Sequence, residues 1–371
     1  MAVMIGYIIG VGMFGLPYLV AQSGLLAFFI FIVGLGFVQH LLHLIYANLI
    51  VVTRGYHRMP GYVGMYLGRD GKRLVFLAKI IGNYGALLAY IIITGVFLHQ
   101  LLSPYFGGSE FIYATILFIF EAAVIYFGIG MIARIELFMT GLLLLIIILI
   151  AWQGWEMISI NNYHIVNWKY LILPYGAVLF ALDGNGSLPI VVKLLKRNKK
   201  AVKEVVRTGT FLSIIVIIVF TLVIVGISGS STSQDALTGV RQIFNDGVIL
   251  FALIFGILTM VTSFFGVAES IRETLWWDYK FNKKLAWAAA VFVPYILYVL
   301  GLKSLIDVIS FAGAIAGGMS AIMLILVFRK LEKMKNKLVL FKYKPGFVLN
   351  YFLITLFICG IIYAIYIFAA R

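Results

Sequence analysis

Gly12-Met13-Phe14-Gly15-Leu16-Pro17 and Gly184-Asn185-Gly186-Ser187-Leu188-Pro189 share one pattern, G-x-x-x-L-P, and each lies midway along an apolar run. Runs long enough to cross a bilayer, about 20 residues each, fall near 2–24, 25–53, 74–103, 111–129, 132–156, 169–192, 205–229, 247–272, 285–301, 304–328 and 346–369. The patterns occupy the first and sixth of these eleven runs, so each repeating unit holds five spans. An odd number of spans turns the second copy upside down in the membrane relative to the first. Glycine tolerates backbone angles outside the helix, and proline at the start of a resumed helix needs no amide donor, so both stretches are expected to read helix, break, helix. Unwound backbone at membrane depth is tolerated only where it faces a cavity or is buried in protein. A matched pair of interrupted spans in two inverted halves therefore points to a central binding site. Free amides at one half-helix end and free carbonyls at the other suit a ligand with both a carboxylate and an ammonium, such as a small-molecule amino acid.

Composition agrees. The 371 residues are 63% hydrophobic and 12% charged, with a mean hydropathy of +1.08, whereas soluble domains carry about a quarter charged residues. An all-α polytopic membrane protein of eleven transmembrane helices is expected, with the lipid bilayer as its surroundings and no room for a soluble domain. Cys359, the single cysteine, excludes a disulfide framework or a thiolate cluster, and no cofactor is expected. The net charge of +15 raises the question of a nucleic-acid partner, which its placement answers. Of 29 Lys and Arg residues, 25 follow spans two, four, six, eight and ten. The groups are Arg54 to Lys79, Arg134, Lys193 to Arg207, Arg272 to Lys284 and Arg329 to Lys344, leaving Lys169, Arg241, Lys303 and Arg371 on the other face. This asymmetry predicts a multi-pass protein of the cell membrane with its N-terminus cytoplasmic and its C-terminus outside. All of the basic charge is read as topology signal and none as a ligand site. Met1 precedes the first span with no charged leader, so no cleaved signal is read.

Gly10-Val11-Gly12-Met13-Phe14-Gly15-Leu16-Pro17-Tyr18 resembles the first-helix signature of the amino acid permeases of the amino acid, polyamine and organocation superfamily. Pro174-Tyr175-Gly176, Leu179-Phe180-Ala181-Leu182, Pro189 and Thr262-Ser263-Phe264-Phe265-Gly266-Val267 are similar to its hydroxy and aromatic amino acid permease family. So are His43-Leu44-Ile45-Tyr46-Ala47-Asn48 and Tyr56-His57-Arg58-Met59-Pro60-Gly61-Tyr62. The likeness covers essentially the whole chain. It implies the leucine-transporter fold, a 5+5 inverted repeat with helices 1 and 6 broken: 1–156 the first repeat, 157–328 the second, 329–371 a cytoplasmic connector and helix 11. On that pattern Gly10, Val11, Gly12 and Gly15, with Phe180, Ala181, Asp183, Asn185 and Gly186 of the second break, bind substrate. Tyr84 and Tyr90 are the aromatic candidates for its side-chain pocket. Asn48 stands where the family pattern has a glutamate, and Asp183 where a small residue is usual.

Thr259, Thr262 and Ser263 project from one face of span eight. Oxygen ligands so arranged can grip a hard cation, although hydroxyls in membrane helices also bond back to their own carbonyls. The resemblance places the carbonyls of Gly6 and Ile9 opposite them and makes sodium the expected coupling ion. No lysine occurs from Gly141 to Ile150. Asp183 lies in a proposed break, where a charge costs upward of about 2.5 kcal/mol, so it is expected to face the cavity and bind a cation, bind substrate, or titrate. Alternatively it caps the resumed helix through the amides of Gly186 or Ser187. Glu121, His40 and His43 are assigned to helix–helix bonds. Ser231-Thr232-Ser233-Gln234-Asp235 resembles a capping box, followed by Ala236, Leu237, Val240, Ile243 and Phe244 at helical spacing, which predicts an amphipathic outer-face helix able to act as a lid. The stretch from Arg329 to Lys344 is read as a solvated connector.

These features predict a secondary active transporter working by alternating access: symport of a neutral, aromatic or hydroxylated amino acid with sodium. A proton-coupled symporter using Asp183, or a non-transporting amino acid sensor on the same fold, are the alternatives. An enzyme is not expected, since H-E-x-x-H, G-x-S-x-G and paired catalytic carboxylates are absent, and the missing G-x-x-x-x-G-K-[ST] removes an ATP-driven pump.

Overall fold

The computed structural model describes all residues except 56, 128–131, 244–246, 335–337, 342–344 and 370–371, and the backbone but not the side chains of 132–140, 143 and 277–278. Phe244 of the outer-face helix, Tyr56 of the second-span motif, Arg371, four connector lysines (Lys335, Lys337, Lys342 and Lys344) and the Arg134 side chain thus lie outside what is described.

The apolar runs fold as helices because a backbone polar group surrounded by lipid must be paired within its own segment. In chain order they are α1 (Ala2–Ile8), α2 (Gly12–Ser23), α3 (Leu25–Val52), α4 (Met59–Phe106), α5 (Glu110–Phe127), α6 (Ile132–Gln153), α7 (Pro174–Ala181) and α8 (Leu188–Leu194). There follow α9 (Lys199–Ser228), α10 (Leu237–Ile243), α11 (Gly247–Glu273), α12 (Lys283–Val299), α13 (Leu305–Ala312), α14 (Gly318–Glu332) and α15 (Phe347–Ala369). Among the described residues eight helical stretches are long and apolar enough to cross a membrane, and the α1–α2 pair, bent by 50°, makes a ninth. The 17-residue α12 and the partly described α6 fall short of that test. Eleven spans are compatible with these elements.

Two packed groups frame the molecule. In one, α1, α2, α3, α7 and α9 pack on each other; in the other, α4, α5, α11 and α12 do, and α13 and α14 touch both. Phe14, Phe28, Phe97 and Phe220 are fully buried between helices, whereas Phe37, Phe120, Ile148 and Phe352 stand on outer faces as lipid-facing residues do.

Three readings need correction. The helix of the third span is longer than its apolar run: α4 starts at Met59 and breaks at Gly68, whose φ of 76° takes it out of the helical region without a Cβ clash, and it runs on unbroken from Arg69. The connector after α14 is not simply solvated. Asn48 accepts hydrogen bonds from the amides of Val339 (2.9 Å) and Leu340 (3.1 Å), Leu340 is buried, and Phe341 packs edge-on against Phe328. The Asn48 carboxamide thus docks a loop. Finally, the two G-x-x-x-L-P copies do not share a conformation. The second straddles a break, with Pro189 in the first turn of α8, but the first is wholly helical, with Pro17 inside α2 and the break upstream at residues 9–11.

Candidate functional site

The first break is bare backbone. Ile9 leaves the helix at φ −81°, ψ 86°, and Gly10 donates to the Ile8 carbonyl in a tight turn (3.0 Å) before α2 begins. Among the described residues the amides of Val11 and Gly12 have no backbone acceptor, and the carbonyls of Gly6 and Ile9 have no backbone donor. Gly12 is a close-approach position: a Cβ there would come within 2.8 Å of the Ala181 Cα and 2.9 Å of the Phe180 ring. The first break therefore packs against the end of α7, just ahead of the second break.

The second break is held by side chains. Gly184 donates its amide to His43 Nε2 (3.0 Å), and the other ring nitrogen lies 3.0 Å from Thr210 Oγ1. A backbone amide can only donate, so Nε2 is the acceptor and Nδ1 carries the proton toward Thr210. Asp183 Oδ1 accepts from the Asn185 amide (3.1 Å) and from Asn185 Nδ2 (2.6 Å). The Ser187 amide and hydroxyl both donate to the Gly184 carbonyl, at 3.1 and 2.8 Å. Asp183 thus braces the break through Asn185, not through Gly186 or Ser187. His43 belongs to the break as well as to the helix contacts expected of it, and only its occurrence as a histidine in an apolar span hinted at that.

A cavity of about 180 Å³ runs between the two packed groups. Of the expected substrate residues, Gly10, Val11, Gly12, Tyr90, Phe180, Ala181, Asp183 and Gly186 line it. Tyr90 brings its hydroxyl to 4.0 Å from where a Gly10 Cβ would stand, and a smaller adjoining cavity of about 50 Å³ is lined by Asn185. Two of the set point elsewhere. Gly15 abuts Ile306 and Ile309, and the Tyr84 hydroxyl donates to the Ala289 carbonyl at 2.9 Å, tying α4 to α12. The cavity reaches the end of the bundle that carries the basic connections, where Tyr7 and Ile190 are exposed and Arg58 is half-buried. At the other end Phe14 is sealed edge-on against Phe97 and Phe220, with ring centroids 5.9 and 5.6 Å apart. That sealed end also carries α10, capped by Ser233 and Asp235 and pinned to the end of α4 by Arg241, which donates to the Gln100 carbonyl (2.7 Å).

Of the expected cation ligands, Gly6 and Ser263 line the cavity. The Thr262 hydroxyl donates back to the Thr259 carbonyl (2.9 Å), while the buried Thr259 hydroxyl has no hydrogen-bond partner.

The sequence reading takes Lys79 as topology signal and not as part of a ligand site, and the structure corrects this. It lies inside α4, lines both cavities, and its Nζ is 3.3 Å from Asp183 Oδ2. The turns of α4 that carry Ala78, Lys79, Gly82 and Asn83 run beside the cavity. A second pair, Arg58 with Glu273 at 3.2 Å, stands nearer the exposed end. One signal for Lys79 was available: a lone cation five residues inside an apolar run.

No curated protein matches the chain in sequence. Among solved structures, the chain is similar to MhsT in complex with L-phenylalanine, with a TM-score of 0.70 at 13% identity over 99% of this chain and 96% of that one. It is also similar to Mhp1, a nucleobase-cation-symport-1 family transporter in a closed conformation with bromovinylhydantoin bound, with a TM-score of 0.63 at 10% identity over 98% and 90%. These two likenesses concern the fold. The model of the tryptophan/tyrosine permease family matches residues 1–366, and the chain belongs to that family of transporters.

Proposed function

We propose that the chain is a secondary active transporter that carries a neutral aromatic amino acid across the cell membrane by alternating access, in symport with sodium. The observation that carries this reading is the cavity, where unpaired backbone of the first break meets aromatic side chains from two other spans, Tyr90 and Phe180. Free amides at the start of α2 suit the carboxylate, unpaired carbonyls at the end of α1 suit the ammonium, and the rings suit an aromatic side chain. The family description and the phenylalanine bound to the similarly folded MhsT support the substrate class.

For the ion, the carbonyls of Gly6 and Ile9 and the oxygens of Thr259, Thr262 and Ser263 supply the hard ligands that sodium prefers. Thr262 keeps an oxygen lone pair available while its proton is spent on the Thr259 carbonyl. In this reading 1–156 and 157–328 are inverted repeats, the basic end faces the cytoplasm, and the sealed Phe14 end faces outward. Asp183 serves as brace and counter-ion, since donors from Asn185 and Lys79 occupy both of its oxygens. The test is uptake of phenylalanine into proteoliposomes with sodium and pH gradients imposed separately. Uptake driven by the pH gradient alone transfers the coupling role to a proton, and binding without counterflow makes the protein a sensor.

A further inference from the structure

Two cations line the cavity, and both keep unused donors. An ammonium carries three donors, and among the described residues Lys79 uses one, to Asp183. Arg58 is paired with Glu273 nearer the exposed end, so Lys79 is the one beside the second break. Asp183 has less to spare: Asn185 donates twice to Oδ1 and Lys79 takes one of the two acceptor sites of Oδ2. The pair is therefore asymmetric, with more unused capacity on its basic side than on its acidic side. Lys79 also sits at a different level of α4 from the ring that meets Gly10: eleven residues separate it from Tyr90, roughly 16 Å along the axis at the helical rise. Both cavities include it, and its side chain is 22% exposed, so a ligand moving between the Gly10 level and the exposed end passes its ammonium.

We infer that Lys79 is a second, carboxylate-binding station on the path between the first break and the basic end. Asp183 tethers the ammonium in place, and the carboxylate of a passing substrate takes the unused donors. The assignment rests on the transport reading for its substrate, but carboxylate binding itself does not depend on transport. It also separates two parts of recognition. Ring, ammonium and carboxylate are all read at the Gly10 level, while at Lys79 a carboxylate suffices, so an aromatic carboxylate lacking the amino group loses a contact at the first break but none at Lys79.

Phenylpropionate, the deaminated form of phenylalanine, is the probe. Its affinity is measured by titration calorimetry on the purified full chain, beside phenylalanine uptake in proteoliposomes. Lys79→Gln is expected to weaken phenylpropionate roughly tenfold, the scale of one charge-assisted hydrogen bond, and Lys79→Arg to stay within about threefold of wild type. Asp183→Asn releases the ammonium from its counter-ion and is expected to tighten phenylpropionate severalfold. A merely structural ion pair predicts instead that both neutralising variants weaken binding alike. The proposal is overturned if wild type does not bind phenylpropionate, if Lys79→Gln leaves its affinity unchanged, or if Asp183→Asn weakens it as much as Lys79→Gln does. Absence of phenylalanine uptake in wild type with phenylpropionate binding intact would remove the transport reading and leave the carboxylate station standing.

Discussion

Between Ile8 and Gly12 the chain unwinds with no side chain bonded to the loosened backbone among the described residues, whereas between Ala181 and Leu188 the side chains of His43, Asp183 and Ser187 all bond it. Each break leaves a helix with unpaired ends, and buried unpaired amides and carbonyls are costly. The second break meets that cost from within the protein. The first leaves it to be met by something that comes and goes. A bare break can exchange its partners for a ligand's charged groups, and a braced one can keep its shape while neighbouring helices move. On the proposed function, the difference would make the first break the place of recognition and the second the place of rigidity.

The largest effect should follow from filling the bare break. A Cβ on Gly10 would have one neighbour within 4 Å, the Tyr90 hydroxyl at 4.0 Å, so Gly10→Leu would occupy cavity and not protein. It is expected to abolish phenylalanine binding while leaving the ligand-free melting temperature within a few degrees of wild type. Gly12→Leu is the contrast, because its side chain would meet Ala181 and Phe180 and should lower stability as well as binding. Thermal-shift titration reads both quantities in one experiment. Phenylalanine binding that survives Gly10→Leu would remove the first break from recognition.

Next in size is the ion. Thr262→Val with Ser263→Ala removes two oxygens from the proposed sodium site, and the sodium concentration giving half-maximal uptake should rise at least about tenfold. Phenylalanine affinity at saturating sodium should change far less, because the amides of Val11 and Gly12, which have no acceptor among the described residues, are untouched. Equal losses in both quantities would mean that the hydroxyls serve packing.

The braced break should respond in stability. His43→Ala leaves the buried Gly184 amide without its acceptor, which costs about 1–3 kcal/mol. His43→Gln supplies an oxygen in reach of the same amide and should recover much of the loss. Thermal unfolding of the purified protein measures both, and equal destabilisation by the two variants would show that the imidazole acts by shape alone.

The sequence exposed these two regions unequally, for physical reasons. Apolar length located the spans because hydrocarbon thickness sets it. Pro189 marked the second break because a proline in the first turn of a helix lacks only an amide that would be unpaired anyway. The same reasoning placed the first break within Gly12 to Pro17, with Pro17 opening the resumed helix, but α2 continues through that proline, which neighbouring helices make tolerable at membrane depth. What holds the second break comes from His43 and Lys79, far away in sequence, so spacing along one helix could not reveal it. Asn48 departed visibly from the family pattern, but its partners, the amides of Val339 and Leu340, lie in a connector whose basic charge had suggested solvent.

The smallest expected effect separates charge from hydrogen bonding within the braced break. Asp183→Asn keeps an oxygen for the Asn185 amide and gives up the ion pair with Lys79, whose partners are 22% and 32% exposed. Ion pairs with that much solvent contact contribute little, within about 1 kcal/mol, so the melting temperature should fall by only a few degrees. Asp183→Ala removes the acceptor itself and leaves the Asn185 amide unpaired, which should cost about 1–3 kcal/mol. If hydrogen bonds hold the break, the alanine variant is the less stable of the two, and raising the salt concentration leaves their order unchanged, because salt screens charge pairs and spares neutral hydrogen bonds. If the two variants melt together, well below wild type, the ion pair is the brace, and the second break then depends on the same lysine that a passing carboxylate would engage.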